Sequence, residues 1–265
     1  MIMSARQTES PRLPHPAGGV LQAHISYSGQ SADWAVVYVH GFASNSSGEK
    51  SKVVEAACAA RGWTYASFDF RGHGQSTGSL LDLSGSALLD DLDVLQAWLA
   101  SRGVHRLCLY GSSMGGWAAT WYALRRPETV AACALAAPAF QFLTYRRDRM
   151  SDEERRRWRE TGRLRVHNEW IDVEIGVGGL DEMEQFPAGE LAAKLKCPLL
   201  IFHGILDDTV PYTHSLAFVE MARNPQIEVR LYKDGDHRLL KYKEEMAEAA
   251  CAFFGRILGV SHSPI

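Results

Sequence analysis

Gly111-Ser112-Ser113-Met114-Gly115 holds a serine between two glycines in the spacing G-x-S-x-G. The segment follows an apolar run, Arg106 to Tyr110, and opens a stretch of helical character reaching Pro127, so Ser113 is expected on a strand-to-helix turn. Such a turn is sharp. It strains the backbone of the serine, and side chains larger than hydrogen beside it would clash, which explains the glycines. The Ser113 hydroxyl then projects from the sheet at a helix N-terminus, where developing negative charge is favoured. A phosphate cradle is the rival use of a Gly/Ser-rich turn, but the pattern G-x-x-x-x-G-K-[ST] needs a lysine that this segment lacks.

A serine hydroxyl is a weak nucleophile until a base takes its proton, so a histidine and an orienting carboxylate are required. His203-Gly204-Ile205-Leu206-Asp207-Asp208-Thr209-Val210-Pro211 follows the next-to-last strand and offers the carboxylate. Spacing to Val210-Pro211 favours Asp207 over its neighbour Asp208. Asp234-Gly235-Asp236-His237 follows the last strand and offers the imidazole. All three segments leave the carboxyl ends of strands, the edge where open α/β sheets build their sites. Stabilising an oxyanion takes two backbone N–H groups. The expected donors are Met114, directly after the serine, and Phe42, in the His40-Gly41-Phe42 loop after an earlier strand. His40 is expected to be structural, its ring bonded to nearby backbone.

These loops need a scaffold, and periodicity supplies one. Leu21, Ala23, Ile25 and Tyr27 alternate with polar residues as in a half-buried strand. Trp34 to Val39 is a continuous apolar run, suited to a parallel strand covered on both faces. Ser46 and Glu49 have capping-box spacing and predict a helix through Cys58. Tyr65 to Phe70 is the next strand. Leu88, Leu92, Leu95 and Leu99 then mark one face of a helix ending near Gly103. Val130–Ala136 and Pro198–Phe202 are further strands, Tyr212–Arg223 a helix, and Ile227, Val229 and Leu231 an edge strand. Met246, Ala249, Ala250, Phe253, Phe254 and Ile257 line one face of a last helix. Strands alternating with helices predict an α/β fold: a mainly parallel central sheet with helices on both faces. Residues from about 138 to 190 break the rhythm and read as a small inserted cap, with a helix opening at the Ser151/Glu154 capping box. The expected domain spans 19–258, flanked by tails at 1–18 and 259–265.

Composition narrows the function. In 265 residues, 31 acidic side chains nearly cancel 28 basic ones, for a net charge of −3, so no global basic field marks the chain for nucleic acid. No stretch approaches the roughly eighteen apolar residues that span a bilayer. The start of the chain lacks a secretory apolar run. Five widely spaced cysteines, an odd number, read as buried reduced thiols, not as a disulfide framework or metal cluster. A cytoplasmic location is expected. Nine arginines stand between Arg146 and Arg165 against five acids; this is a salt-bridged helix face or, alternatively, a basic surface attracting a carboxylate-bearing substrate. Trp117, Trp121, Trp158 and Trp170 are candidates for an acyl pocket, though Trp117 and Trp121 at i, i+4 are more simply core.

HGF, FDFRGHGQS, GSSMGG, HGILDDTVP and GDHR together resemble the serine α/β-hydrolase superfamily over about residues 19–258. EKSKVVEAACAARGW, GSSMGGW and HGILDDTVPYTHS further resemble the branch of palmitoyl-protein thioesterase and acyl-glucuronide esterase with its bacterial carboxylesterase relatives. The resemblance implies the α/β-hydrolase fold and hydrolysis of a small-molecule ester or thioester through an acyl-enzyme on Ser113, Asp207 and His237, with no metal or organic cofactor. It also implies that the Arg71-Gly72-His73-Gly74 loop braces the site without reacting. Relatives with haloalkane dehalogenase or epoxide hydrolase chemistry carry an aspartate where Ser113 stands. The same framework serves C–C bond, peptide and perhydrolysis chemistry elsewhere, and a non-catalytic binding module is the reading from another class.

Overall fold

The computed structural model describes residues 7–27, 33–142, 144–167 and 171–260. In chain order the elements are β1 (Thr8–Glu9), β2 (Arg12–Pro14), β3 (Val20–Ser26), β4 (Trp34–Val39), α1 (Glu49–Ala60), β5 (Tyr65–Phe68), α2 (Gly85–Ala100), β6 (Arg106–Ser112), α3 (Met114–Arg125) and β7 (Val130–Ala136). There follow α4 (Thr144–Asp148), α5 (Asp152–Thr161), β8 (Arg163–His167), β9 (Asp172–Gly176), α6 (Gly178–Glu182), α7 (Ala188–Lys194), β10 (Leu199–Gly204), α8 (Tyr212–Met221), β11 (Ile227–Tyr232) and α9 (Lys243–Leu258).

Nine strands form the main sheet in the order β1-β3-β5-β4-β6-β7-β10-β11, with β2 also on β3. From β5 to β11 every pairing is parallel, and β3 runs antiparallel to β5. This is the α/β-hydrolase fold. The apolar run of β4 shows why both faces must be covered. Ala35, Val37 and Val39 enter the core beneath α2, α3 and α8, while Trp34, Val36 and Tyr38 enter the core beneath α1 and α9. On α2, Leu88, Leu92, Leu95 and Leu99 are at most 2% exposed, each such burial contributing about 1.5–3 kcal/mol. Helix α3 is buried on all sides from Met114 to Ala123, which fixes the turn before it.

Several local expectations are corrected. Ser46 does not cap α1: its N–H donates to Asp69 Oδ1 at 2.7 Å and its carbonyl accepts from Ser51 Oγ, so the helix begins later, at Glu49 behind Gly48. The strand expected to reach Phe70 ends at Phe68, because the Phe70 N–H turns to His40 Nε2. Residues 8–14, assigned to a tail, form β1 and β2 on β3. Helix α8 stops at Met221, two residues before the expected Arg223.

Between β7 and α7 the chain departs from the sheet. Helix α5 opens on the reciprocal capping box of Ser151 and Glu154. Strands β8 and β9 then pair as an antiparallel hairpin that the sequence reading did not expect. No helix among the described residues is long and apolar enough to cross a membrane.

Candidate active site

The elbow is built by exclusion. Ser113 has φ 53° and ψ −115°, a conformation that an L-residue holds only under strain. A Cβ on Gly115 would lie 2.1 Å from the Val39 carbonyl oxygen, and one on Gly111 2.6 Å from the Gly115 carbonyl oxygen. Only glycines let β4, β6 and α3 approach closely enough to make this turn.

Three loops at the carboxyl ends of β6, β10 and β11 meet here. His237 Nε2 lies 3.1 Å from Ser113 Oγ, and His237 Nδ1 lies 2.8 Å from Asp207 Oδ2. Asp207 is buried and its other oxygen accepts N–H bonds from Thr209 and Val210, at 3.0 and 2.7 Å. Burial by itself would raise the Asp207 pKa, yet hydrogen bonds from His203 and His237 hold it down to about 2. The neighbouring Asp208 is exposed and accepts only the Thr209 hydroxyl among the described contacts. Loop Gly41-Phe42 passes directly over the elbow, a Cβ on Gly41 falling 3.4 Å from Ser113 Cβ. Neither the Phe42 nor the Met114 N–H donates to an acceptor among the described hydrogen bonds.

The site also contains groups that motif reasoning passed over. His203, buried on β10, lies 3.2 Å from Asp207 Oδ2 and 2.9 Å from the Val210 carbonyl through Nε2, and 2.8 Å from Ser215 Oγ through Nδ1. Two acceptors at Nε2 require the proton there, so Nδ1 accepts from Ser215. The signal was its place at the head of HGILDD, next to last in β10. Lys50 Nζ donates to Ser112 Oγ at 2.7 Å, directly behind the elbow. Desolvation, then repulsion from Arg238, lowers the Lys50 pKa to about 8.

Bracing comes from buried polar groups. His40 Nε2 accepts the Phe70 N–H at 3.0 Å and its Nδ1 donates to the Gly41 carbonyl at 2.8 Å. Arg71 Nε bonds Asp91 at 2.6 Å and holds its loop against α2. Asp69 ties the Ser46 N–H to the Gln75 N–H, linking the start of α1 to the loop after β5.

Ser113 opens into a cleft of about 670 Å³ of empty volume, solvent at its mouth included. Phe42, Phe142, Val166, Ile175 and Val210 make it largely apolar, while Gln141, Tyr145 and His214 stand in its wall. The β8–β9 hairpin supplies Val166 and Ile175, each 2% exposed. Trp117 and Trp121 pack on Phe186 in the core, and Trp158 is buried within the insertion. None of the three lines this cleft, and Trp170 lies outside the described residues. Most arginines of the insertion are paired: Arg147 with Asp148, Arg155 with Asp152, Arg156 with Glu160, Arg163 with Glu174 and Arg165 with Asp172. The side chain of Arg146 lies outside the described residues. All five cysteines are buried and unbridged, and no group of three or more His, Cys, Asp or Glu among the described residues is arranged to hold a metal ion.

Residues 30–151 match the family described as Serine aminopeptidase, S33. The mitochondrial palmitoyl-protein thioesterase ABHD10 of mouse is 28% identical over 208 residues, covering 77% of this chain and 69% of the relative. The solved structure of mouse alpha/beta hydrolase domain-containing protein 10 superposes with a TM-score of 0.80 at 24% identity, over 96% of this chain and 100% of that one. A putative hydrolase from Agrobacterium vitis S4 reaches 0.83 at 24% identity, over 94% and 99%. Both solved structures are similar in fold.

Proposed function

Taking as premise that this chain is an α/β-hydrolase, we propose that it is a serine hydrolase that cleaves carboxylic ester or thioester bonds through an acyl-enzyme intermediate. One observation carries this reading: the unbroken relay from Asp207 Oδ2 through His237 to Ser113 Oγ, at 2.8 and 3.1 Å, at the floor of an apolar cleft.

His237 Nε2 takes the Ser113 proton as Oγ attacks the substrate carbonyl. The oxyanion forms against the Phe42 and Met114 N–H groups, each such donor contributing about 3–4 kcal/mol to the transition state. His237 then gives its proton to the leaving alcohol or thiol. Water repeats the cycle to free the acid. Asp207, kept ionised, holds the imidazole in the right tautomer and stabilises its charged form. None of these steps calls for a metal or an organic cofactor. The insertion carrying Gln141 to Ile175 acts as a cap that shapes the acyl site. Five buried thiols suit a reducing compartment such as the cytoplasm.

The family description favours a second reading, release of an N-terminal amino acid. A free substrate amine calls for a carboxylate near the nucleophile, and the described cleft wall holds none, so the ester reading is preferred. Treating the protein with a fluorophosphonate, then assaying aryl esters, acyl-thioesters and aminoacyl amides, separates the readings. Labelling of wild type, lost in Ser113→Ala with ester turnover, is the expected result. A folded protein that resists labelling would point to a binding module instead.

A further inference from the structure

Strand β11 is the open edge of the sheet, with β10 as its one described neighbour. Its ladder starts with the Leu199 N–H on the Gln226 carbonyl and ends with the Ile205 N–H on the Tyr232 carbonyl, both 2.9 Å. In a parallel ladder alternate residues turn toward the neighbour, so residues 226, 228, 230 and 232 face β10. The backbone N–H and C=O groups of Ile227, Val229 and Leu231 therefore point outward. Helix α9 reaches the strand through Glu245, which accepts from Tyr232 Oη at 3.0 Å, and through Arg256, while Ile227 and Val229 pack half-buried against the core and Leu231 stays exposed. Unpaired edges of this kind invite another strand.

Among the described residues, the exposed large apolar side chains include three on or bonded to this strand and the loop after it. Leu231 is 41% exposed on the strand; Ile205 and Leu206, 37% and 63% exposed, follow β10 and bond back to the Tyr232 and Gly235 carbonyls. Met221, 46% exposed, ends α8 just before the strand.

The sequence of the edge is self-complementary in a single register. Pairing β11 antiparallel with a second β11 about a two-fold axis at Val229 sets Val229 opposite Val229 and Ile227 opposite Leu231. These are the residues whose backbone groups face outward, so all three pairs are hydrogen-bonded pairs. The same register sets Glu228 opposite Arg230 twice, favourable cross-strand neighbours. An axis at Ile227 puts Val229 opposite Pro225, which has no N–H to give. An axis at Leu231 puts Val229 opposite Lys233 and leaves both charges unmatched. An axis at Glu228 or Arg230 also aligns outward-facing groups, but it sets Glu228 opposite Glu228 or Arg230 opposite Arg230, like charges in direct opposition. Within the chain Glu228 meets Arg256, and Arg230 lies 6.0 Å from the Phe202 ring centroid, so both charges already stand at the rim of this edge.

We propose that β11 is a homodimer interface, joining two copies edge to edge, antiparallel about a two-fold axis at Val229, into one continuous sheet. Strands β7 and β10 stand between β11 and β6, the strand that leads into Ser113, and circular dichroism with fluorophosphonate labelling checks that each variant is folded.

Charge variants test the register by mixing. Arg230→Glu alone sets Glu against Glu across the axis, and Glu228→Arg alone sets Arg against Arg. Mixed together, the two variants regain two opposite-charge pairs. The expected result by sedimentation velocity is a wild-type dimer, two monomeric single variants and a dimer on mixing. Val229→Cys should also give a covalent dimer on mild oxidation, with Glu228→Cys giving none. A wild type that stays monomeric across the concentration series overturns the proposal. So do single variants that dimerise like wild type, a mixture that stays monomeric, or crosslinking as efficient at 228 as at 229.

Discussion

His203 and His237 point at the same oxygen, Asp207 Oδ2, from 3.2 and 2.8 Å. One imidazole belongs to the proposed proton relay and the other, buried on β10, fixes the carboxylate that orients it. The expected role of His203 is positioning. Replacing it by Leu removes a donor to a charged group, a contribution of about 1.5–3 kcal/mol. If that is felt in the transition state, kcat falls roughly 10- to 100-fold with KM little changed. Ser215→Ala, which frees His203 Nδ1, should produce a smaller loss in the same direction. Steady-state kinetics on an aryl ester checks both, and a loss of thermal stability with kcat intact would reduce His203 to a packing residue.

The elbow makes a stability prediction that is independent of substrate. Gly115→Ala must displace the Val39 carbonyl from 2.1 Å, and Gly111→Ala must displace that of Gly115 from 2.6 Å. Both contacts are backbone and have nowhere to go, so each substitution should cost about 3 kcal/mol or more, the upper range for overpacking. Gly189 on α7 has nothing within 4 Å of its Cβ position, so Gly189→Ala should stabilise by about 0.5–1 kcal/mol through helix propensity. Urea unfolding of the three variants decides it; equal effects would mean the close approach at the elbow is not what restricts these positions.

The acyl side of the cleft yields a specificity prediction. Phe142 lines both the main cleft and a second, narrow recess of about 260 Å³ of empty volume, open solvent included, walled by Gly85, Trp117 and Phe186. Its ring centroid is 6.2 Å from those of both Phe42 and Trp117. Phe142→Ala should join the two spaces and raise kcat/KM for longer acyl esters relative to acetyl esters, each methylene gained in apolar surroundings being worth about 0.8 kcal/mol. Val166→Phe, filling the main cleft from β8, should shift preference toward short acyl groups. A chain-length series on wild type and both variants is the measurement, and unchanged selectivity would remove Phe142 as the divider.

The sheet was legible in the sequence because its periodicity is clean: the solid run Trp34–Val39 and the elbow GSSMGG each admit one local geometry. The positions of Ser113, Asp207 and His237 followed from loop order along such a sheet. The β8–β9 hairpin was missed although its alternation is plain in RLRVH and DVEIG. Leu164, Val166, Val173 and Ile175 turn inward while Arg163, Arg165, Asp172 and Glu174 pair outside. Reading the arginines as a helix face hid a period of two behind a count of charges. His203 was missed for another reason: its contacts with Asp207, Val210 and Ser215 depend on how the loop after β10 folds back, which no spacing rule encodes.

His40 supplies the pH dependence. Burial first, then the charge of nearby His73, lowers its pKa to about 4, and burial lowers that of His73 as well. In the unfolded chain a histidine titrates near 6.5. As pH falls below about 6.5 the unfolded chain takes up a proton that the folded His40 refuses until about pH 4. Stability is therefore lost across that window, by about 3 kcal/mol for a difference of roughly 2.5 units. Asp207, depressed instead, withdraws its contribution only at lower pH, as it titrates toward about 2. His40→Gln retains an acceptor for the Phe70 N–H without a titrating ring. It should be less stable than wild type at neutral pH and yet lose less between about pH 6.5 and pH 4. Chemical denaturation at a series of pH values gives both slopes, and parallel curves would show that the acid sensitivity arises elsewhere.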